Sequence, residues 1–216
     1  MTEHTPPLPL AGVRIIDLGG IGPGPFASMV LADLGAELIR VHRPQEAAGD
    51  RNGVGMDPVN PVLDRGKRSI VLDLKSPEGV DAVRRLARTA DGVVEGFRPG
   101  VAERMGLGPE DLMTEKPALV YGRVTGWGQT GPDSHRAGHD MNYIAGSGLL
   151  AQLGRADGSP QFPANLAGDF GGGGMQLALG IVAALLRART SGTGAVVDAA
   201  MGDGANDREM LVAAGT

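Results

Sequence analysis

The chain of 216 residues contains no cysteine and few aromatic residues. The lack of cysteine excludes disulfides, thiolate catalysis and cysteine-ligated metals together. Phe, Trp and Tyr make up only 3% of the sequence. The core must therefore be built mainly from Leu, Val, Ile, Ala and Met.

Positive charge and long hydrophobic runs are scarce as well. The 20 Lys and Arg residues face 25 Asp and Glu residues, and this acidic balance gives no electrostatic basis for binding nucleic acid. The longest apolar run, residues 175–186, is too short to span a bilayer and predicts a buried helix. Residues 1–7 lack the basic and apolar parts of a signal peptide. We therefore expect a soluble, cytoplasmic protein without a membrane partner.

Several common catalytic motifs are also missing. The sequence has no Gly-x-x-x-x-Gly-Lys-Ser/Thr loop for phosphates and no Gly-x-Ser-x-Gly turn for a serine nucleophile. His135 and His139 have a metal-binding spacing, but Gly138 lies between them in a loop-like stretch. We therefore predict no metal site.

Residues 22–27 match the dinucleotide-binding pattern Gly-x-Gly-x-x-Ala after a predicted strand. Pro23 and Pro25, however, remove amide donors that a bound pyrophosphate needs. The next predicted strand ends at His42 instead of the acidic residue that binds a ribose of NAD. The pattern therefore does not favour a nicotinamide or flavin site.

Strand-like and helix-like segments alternate along residues 10–125. Strands are predicted over residues 13–18, 37–42, 69–73, 92–95 and 119–124, and helices over 26–34, over 76–89 and from 108. This order predicts an α/β fold with an open, doubly wound parallel sheet of the Rossmann-like kind. Ligands in such sheets bind outside the carboxyl ends of the strands.

Basic residues recur in the loops that follow the predicted strands. Arg43, Lys75, Arg98 and Arg104 all lie at or just past a strand end. Guanidinium groups bind phosphates through paired hydrogen bonds, and lysine adds a point charge. These four residues predict a site for a polyphosphate or a 3′-phosphoadenosine group, and the alternative is four solvated surface side chains.

Two polar segments carry the strongest candidates for catalysis. In Gly-His-Asp-Met-Asn-Tyr, residues 138–143, His139 supplies an imidazole that titrates near neutral pH. In Gly-Asp-Phe-Gly-Gly-Gly-Gly, residues 168–174, Asp169 supplies a carboxylate in a predicted loop before a long apolar helix. Two bases on separate loops can face one carbon from opposite sides, as inversion of a carbon acid requires. The alternative is that His139 caps a turn and Asp169 is a helix N-cap.

The sequence resembles the family III coenzyme A transferases, the CaiB/BaiF-like proteins, and within them the α-methylacyl-CoA racemases. The matching segments follow in order along residues 10–201: 12–18, 20–25, 31–37, 65–70, 73–75, 95–101, 125–132, 138–143 and 168–173. The racemase pattern carries histidine at the position of His139. The acyl-transferring members resemble the chain mainly at Asp169, which they use as a nucleophile.

The resemblance implies a role for each matching residue. His139 and Asp169 would be the two catalytic residues, on opposite faces of the acyl α-carbon. The residues that match coenzyme A contacts are Arg43, Leu72, Asp73, Leu74, Lys75, Gly96, Phe97, Arg98, Arg104, Gly138, Asp140, Met141, Asn142 and Tyr143. No separate cofactor is implied, since coenzyme A enters as part of the thioester substrate.

The leading hypothesis is a 2-methylacyl-CoA racemase or epimerase that transfers a proton at the α-carbon of an acyl-CoA. We expect Asp169 to be ionised, helped by a nearby helix N-terminus. One alternative is a coenzyme A transferase in which Asp169 forms a mixed anhydride. Another is an inactive fragment that only binds acyl-CoA.

Members of the family continue beyond the matched region into a linker and a second, smaller domain, and they form interlocked homodimers. Residues 202–216 are instead glycine-rich and polar. The resemblance therefore predicts a large coenzyme A-binding α/β domain over residues 1–201 and an atypical tail over residues 202–216, in a C-terminally truncated chain. We expect such a chain to have low stability and weak turnover in isolation.

Overall fold

The chain folds around a sheet of six parallel strands. The computed structural model describes residues 6–44 and 62–201, so the predicted tail over residues 202–216 lies outside the described residues. The strands are β1 (Arg14–Asp17), β2 (Glu37–His42), β3 (Lys67–Val71), β4 (Gly92–Glu95), β5 (Val120–Thr125) and β6 (Val196–Ala200). Their order in the sheet is β3-β2-β1-β4-β5-β6, and every neighbouring pair is parallel. The predicted doubly wound α/β fold is confirmed.

Helices connect the strands and cover both sides of the sheet. They are α1 (Pro23–Asp33), α2 (Pro77–Arg88), α3 (Val101–Arg104), α4 (Pro109–Glu115), α5 (Asp140–Gly146) and α6 (Met175–Ser191). Two short 3-10 turns, Leu149–Gln152 and Ala164–Leu166, follow α5. A π-helical segment, Ala167–Gly174, then runs directly into α6.

The core consists of two apolar layers, one on each side of the sheet. Ile15 packs with Leu177 and Ile181 in the layer under α1 and α6. The next residue, Ile16, packs with Leu112 in the layer under α2 and α4. Adjacent side chains of a strand point to opposite faces, so one short apolar strand serves both layers.

Local sequence signals explain where two of the helices begin. Ser76 is the N-cap of α2, and its hydroxyl accepts a hydrogen bond from the amide of Gly79 at 3.0 Å, as predicted. Helix α1 begins at Pro23, three residues before the predicted start at residue 26. Proline is suited to the first turn of a helix because it needs no hydrogen bond for its nitrogen there.

The sheet extends further along the chain than the predicted range of residues 10–125. Strand β6, after α6, pairs with β5 at the edge, and the periodicity of the sequence did not identify it. Strand β3 begins at Lys67, two residues before the predicted start, because Lys67 pairs with Leu38 of β2. Long-range pairing decided both features.

The helical stretch that ends in α6 is longer than predicted from the apolar run of residues 175–186. It covers the 28 residues Ala164–Ser191, and an 18-residue window within it has a mean hydropathy of 1.4, so it is long and apolar enough to cross a membrane by length and composition alone. The core helix of a soluble protein can meet the same criteria. Leu177, Ile181 and Leu185 of this helix are buried in the layer against the sheet.

Two leucines of α6 provide a direct test of this packing. Leu177 is fully buried, whereas Leu179 is 65% exposed. We expect Leu177→Ala to lower the free energy of unfolding by about 2–5 kcal/mol, because it leaves a cavity in the core. The control Leu179→Ala should change it by about 0.5 kcal/mol or less. Urea denaturation of both variants measures the difference, and equal losses would contradict this orientation of α6.

Candidate functional site

The loops at the carboxyl ends of the parallel strands meet at one edge of the sheet. The strand order reverses between β1 and β4, where such folds form a crevice. The loops after these two strands are in contact, since a Cβ at Gly20 would lie 3.3 Å from the Cα of Gly96. The loops after β1 and β4 are therefore neighbours at this crevice.

Asp169 is located within the π-helical segment and is only 9% exposed. It therefore lies neither in a loop nor at a helix N-cap, contrary to the two expectations from sequence. Its backbone amide donates a hydrogen bond to Oδ2 of Asp140 at 2.7 Å. Gly22, with a φ of 71°, faces its side chain, and a Cβ at Gly22 would lie 2.8 Å from Oδ2 of Asp169. Only glycine allows the loop after β1 to approach the carboxylate this closely.

The environment of Asp169 changes its acidity. Burial raises the pKa of its carboxyl group, and the charge of Asp140 raises it further, to about 6. Burial and a second carboxylate thus outweigh any lowering of the pKa by a helix dipole, although a carboxyl group with a pKa of about 6 is still mostly ionised at neutral pH, as expected. A pKa near neutrality suits a group that must both accept and return a proton.

His139 precedes helix α5 as its N-cap residue, and its side chain is exposed. Its backbone amide donates a hydrogen bond to Oδ1 of Asn142 at 2.9 Å. The next residue, Asp140, is 1% exposed and accepts the hydrogen bond from the amide of Asp169. The structure thus joins the two segments that the sequence singled out separately, and confirms the capping position of His139.

The buried ring of Tyr143 packs against the segment that carries His139. Its ring is 4% exposed and packs edge-on against Trp127, with ring centroids 5.1 Å apart. Gly138 lies against the same ring, where a Cβ would come within 2.6 Å of Cε1 of Tyr143. Burial raises the pKa of Tyr143 to about 12, so the phenol is neutral at physiological pH.

The four predicted phosphate-binding cations, Arg43, Lys75, Arg98 and Arg104, are all exposed near the carboxyl edge of the sheet. Across residues 6–44 and 62–201, no salt bridge involves the last three of them. Some exposed arginines elsewhere are paired with carboxylates, as Arg68 is with Glu37. Within the described residues, Lys75, Arg98 and Arg104 are therefore available to an anionic ligand.

The other predicted contacts differ in accessibility. Asp73, Met141 and Asn142 are exposed, and Leu72, Gly96, Phe97 and Gly138 are partly buried. Leu74, Asp140 and Tyr143 are buried. The side chains of these three residues face the interior in this structure. Asp140 in particular supports Asp169 instead of lining the surface.

Sequence reasoning missed an ion cluster beneath the segment that carries Arg98. Oε2 of Glu95 accepts a hydrogen bond from the amide of Phe97 at 2.6 Å. Arg123 lies 3.2 Å from Glu95 and donates to Glu103 at 2.7 Å. Burial raises the pKa of Glu95 to about 7. Charged residues at the ends of otherwise apolar strands were the available signal for this cluster.

The described part of the chain contains no group of three or more His, Asp or Glu residues placed to hold a metal ion. A polar depression of about 610 Å³ lies between Gly12, Glu37 and Asp91. It lies at the amino ends of the strands, at the edge of the sheet opposite to the one near Asp169. This depression is therefore separate from the candidate residues at the carboxyl ends of the strands.

Comparison with known families and proteins gives consistent matches. The model of CoA-transferase family III matches residues 10–208. Human alpha-methylacyl-CoA racemase is 48% identical over 195 residues, which cover 90% of this chain and 48% of that protein. Mouse succinyl-CoA:glutarate CoA-transferase is 43% identical over 197 residues, covering 88% of this chain and 44% of that protein.

A solved structure supports the same relationship. The crystal structure of a CaiB/BaiF family protein from Brucella suis superposes with a TM-score of 0.81 at 32% identity. The match covers 98% of this chain and 59% of that one. The chain spans about half the length of the curated relatives described above.

The contact between Asp140 and Asp169 predicts a shift that can be measured. Asp140→Asn removes a negative charge but keeps the side-chain shape, so the pKa of Asp169 should fall below about 6. Carbon NMR titration of the aspartate carboxyl groups measures this, with Asp169→Asn identifying the resonance. Asp133→Asn, which breaks an exposed ion pair with Arg136, serves as the control. An unchanged pKa in Asp140→Asn would show that the two carboxyl groups do not interact.

Proposed function

Because the chain belongs to CoA-transferase family III, we propose that it acts as a racemase on 2-methylacyl-CoA thioesters. The observation that carries the proposal is the buried Asp169, with a pKa of about 6, hydrogen-bonded to the segment that begins with the exposed His139. The similarity to human alpha-methylacyl-CoA racemase supports the same reaction.

In the proposed reaction, one of these two residues removes the proton from the α-carbon of the thioester. The electron pair of the C–H bond moves into the thioester group and forms a planar enolate. The other residue then donates a proton to the opposite face of that carbon. The pKa of Asp169, which burial raises to about 6, lies close to the pH at which such transfers work best.

The proposed site for coenzyme A is the row of strand-end cations. Coenzyme A carries several phosphate charges, and Lys75, Arg98 and Arg104 offer donors without carboxylate partners in the described chain. The phosphates would bind at the exposed edge, while the acyl group reaches the buried carboxyl group of Asp169. In this arrangement, the cations that bind the phosphates lie apart from the α-carbon that loses its proton.

A transferase reaction is the second candidate, since transferases are among the similar proteins. The carboxylate of Asp169 would attack the thioester carbonyl, release coenzyme A as a thiolate and form a mixed anhydride. That reaction needs Asp169 but gives no role to His139 as a base. The dependence on His139 therefore separates the two candidates.

We also propose that the protein forms a homodimer, as the family resemblance implies. One side of α6 is apolar yet exposed, with Met175 at 45%, Leu179 at 65% and Leu186 at 69%. Exposed apolar surface of this kind is typical of interfaces between proteins. The native mass of the purified chain tests this proposal.

The racemase proposal predicts that racemisation depends on both bases, whereas residual exchange of the α-proton in one enantiomer by either variant would support the assignment. His139→Ala and Asp169→Asn should each abolish racemisation, while their affinity for coenzyme A is nearly unchanged. Loss of the α-proton signal of a 2-methylacyl-CoA in deuterated water, followed by proton NMR, measures exchange. His135→Ala, an exposed histidine four residues earlier, is the matched control and should retain activity. Full racemisation by either base variant would refute the assignment. Acyl transfer to a free acid that survives in His139→Ala would instead support the transferase.

The cation site predicts a loss of affinity for coenzyme A. Arg98→Ala should weaken binding by about 1.5–3 kcal/mol if the guanidinium contacts a phosphate directly. Binding should also weaken as salt is added, since charge-assisted contacts are screened. Calorimetry with coenzyme A measures both effects, with the exposed and paired Arg136 changed to Ala as control. Unchanged affinity in two of the alanine variants of Arg43, Lys75, Arg98 and Arg104 would contradict this site.

A further inference from the structure

A buried ion cluster lies under the loop between β1 and α1. Asp17, the last residue of β1, is fully buried. Its Oδ2 accepts hydrogen bonds from the hydroxyl of Ser28 at 2.7 Å, from Nζ of Lys67 at 3.2 Å and from Arg40 at 3.3 Å. Residues of three neighbouring strands and of α1 thus converge on one carboxylate.

Two carboxylates and two cations balance in the cluster, since Asp64 lies 3.6 Å from Arg40 and 3.8 Å from Lys67. Burial alone would raise the pKa of Asp17, but Arg40 and Lys67 outweigh it and hold that pKa below the ordinary value. The side chain of Lys67 is only 2% exposed, and burial lowers its pKa. Buried ion pairs contribute little net stability compared with apolar packing. The contacts of the cluster with the loop therefore call for a separate explanation.

The cluster holds the loop of residues 19–25 at both of its ends. Oδ1 of Asp17 accepts a hydrogen bond from the amide of Gly19 at 2.9 Å. At the other end, Nζ of Lys67 donates to the carbonyl of Pro25 at 3.1 Å and to the hydroxyl of Ser28 at 2.7 Å. The path of the loop is fixed by one carboxylate and one ammonium group.

The same loop and the first turn of α1 cover Asp169. Gly22 lies directly against its carboxyl group, where a Cβ would come within 2.8 Å of Oδ2. Phe26 stacks on Phe170, the neighbour of Asp169, with ring centroids 4.5 Å apart. The surface that the cluster fixes is therefore the surface that shields Asp169 from water.

We infer that Asp17, Ser28 and Lys67 are positioning residues that hold the loop and the first turn of α1 against Asp169. The inference rests on the proposed function only in taking Asp169 as the catalytic carboxyl group. Two titratable groups interact electrostatically with Asp169, namely Asp140 and Tyr143, and both belong to α5. The cluster therefore acts on Asp169 by packing and exclusion of water instead of by its electric field.

The test is a small change in the cluster with a readout at Asp169. Ser28→Ala removes the hydroxyl that joins Asp17 to Lys67 and keeps both charges. Because burial is the main cause of the raised pKa of Asp169, a looser loop should lower that pKa by about half a unit or more. Carbon NMR titration measures it, and the acid limb of the exchange rate against pH should move in the same direction.

The matched control is Arg68→Met, one residue after Lys67 on β3. It breaks an exposed ion pair with Glu37 and should leave the pKa of Asp169 unchanged. Lys67→Met should lower that pKa further than Ser28→Ala, and Ser28→Ala alone decides the question if Lys67→Met does not fold. Lower thermal stability in Ser28→Ala with an unchanged pKa of Asp169 would overturn the inference. The titration needs no turnover, so a chain without racemase activity still gives a result.

Discussion

The hydrogen bond from the amide of Asp169 to the carboxylate of Asp140 is the contact on which the candidate site depends. It is 2.7 Å long and buried, and it joins the π-helical segment to the start of α5. It places two carboxyl groups together where water is largely excluded, which raises the pKa of Asp169. It also fixes the backbone next to His139 relative to that carboxyl group. The same contact therefore contributes both to the raised pKa of Asp169 and to its position relative to His139.

In the proposed site, the parallel sheet separates the cations that would bind the ligand from the carboxyl groups that would transfer the proton. All six strands end at the same edge, so Lys75 and Arg98 in the loops and Arg104 at the end of α3 all follow strands at that edge. These cations are exposed, whereas Asp140 and Asp169 are buried. A highly charged ligand can therefore be held at the surface while the reacting carbon meets a drier environment. The ion cluster at Asp17 holds the loop after β1, and the cluster at Arg123 holds the loop after β4 through Glu95.

Four of the seven aromatic residues of the chain form two ring pairs in the segments around Asp169. Phe26 stacks on Phe170, and Trp127 packs against Tyr143. Glycines allow these rings to approach the backbone closely, as Gly138 does under the ring of Tyr143. In a core made mainly of aliphatic residues, flat and rigid side chains are thus placed where the geometry of the site must be maintained.

Local signals in the sequence determined the α/β order, the strand-end loops, the cap at Ser76 and the two candidate bases. Each of these depends on residues within a few positions of one another. Only the tertiary structure decided the pairing of β6 with β5, the extension of α6 through the π-helical segment and the burial of Asp140. It also decided the pKa of Asp169, which burial and Asp140, 29 residues away, raise together. Periodicity and capping are local properties of the chain, whereas desolvation and strand pairing depend on residues that only folding brings together.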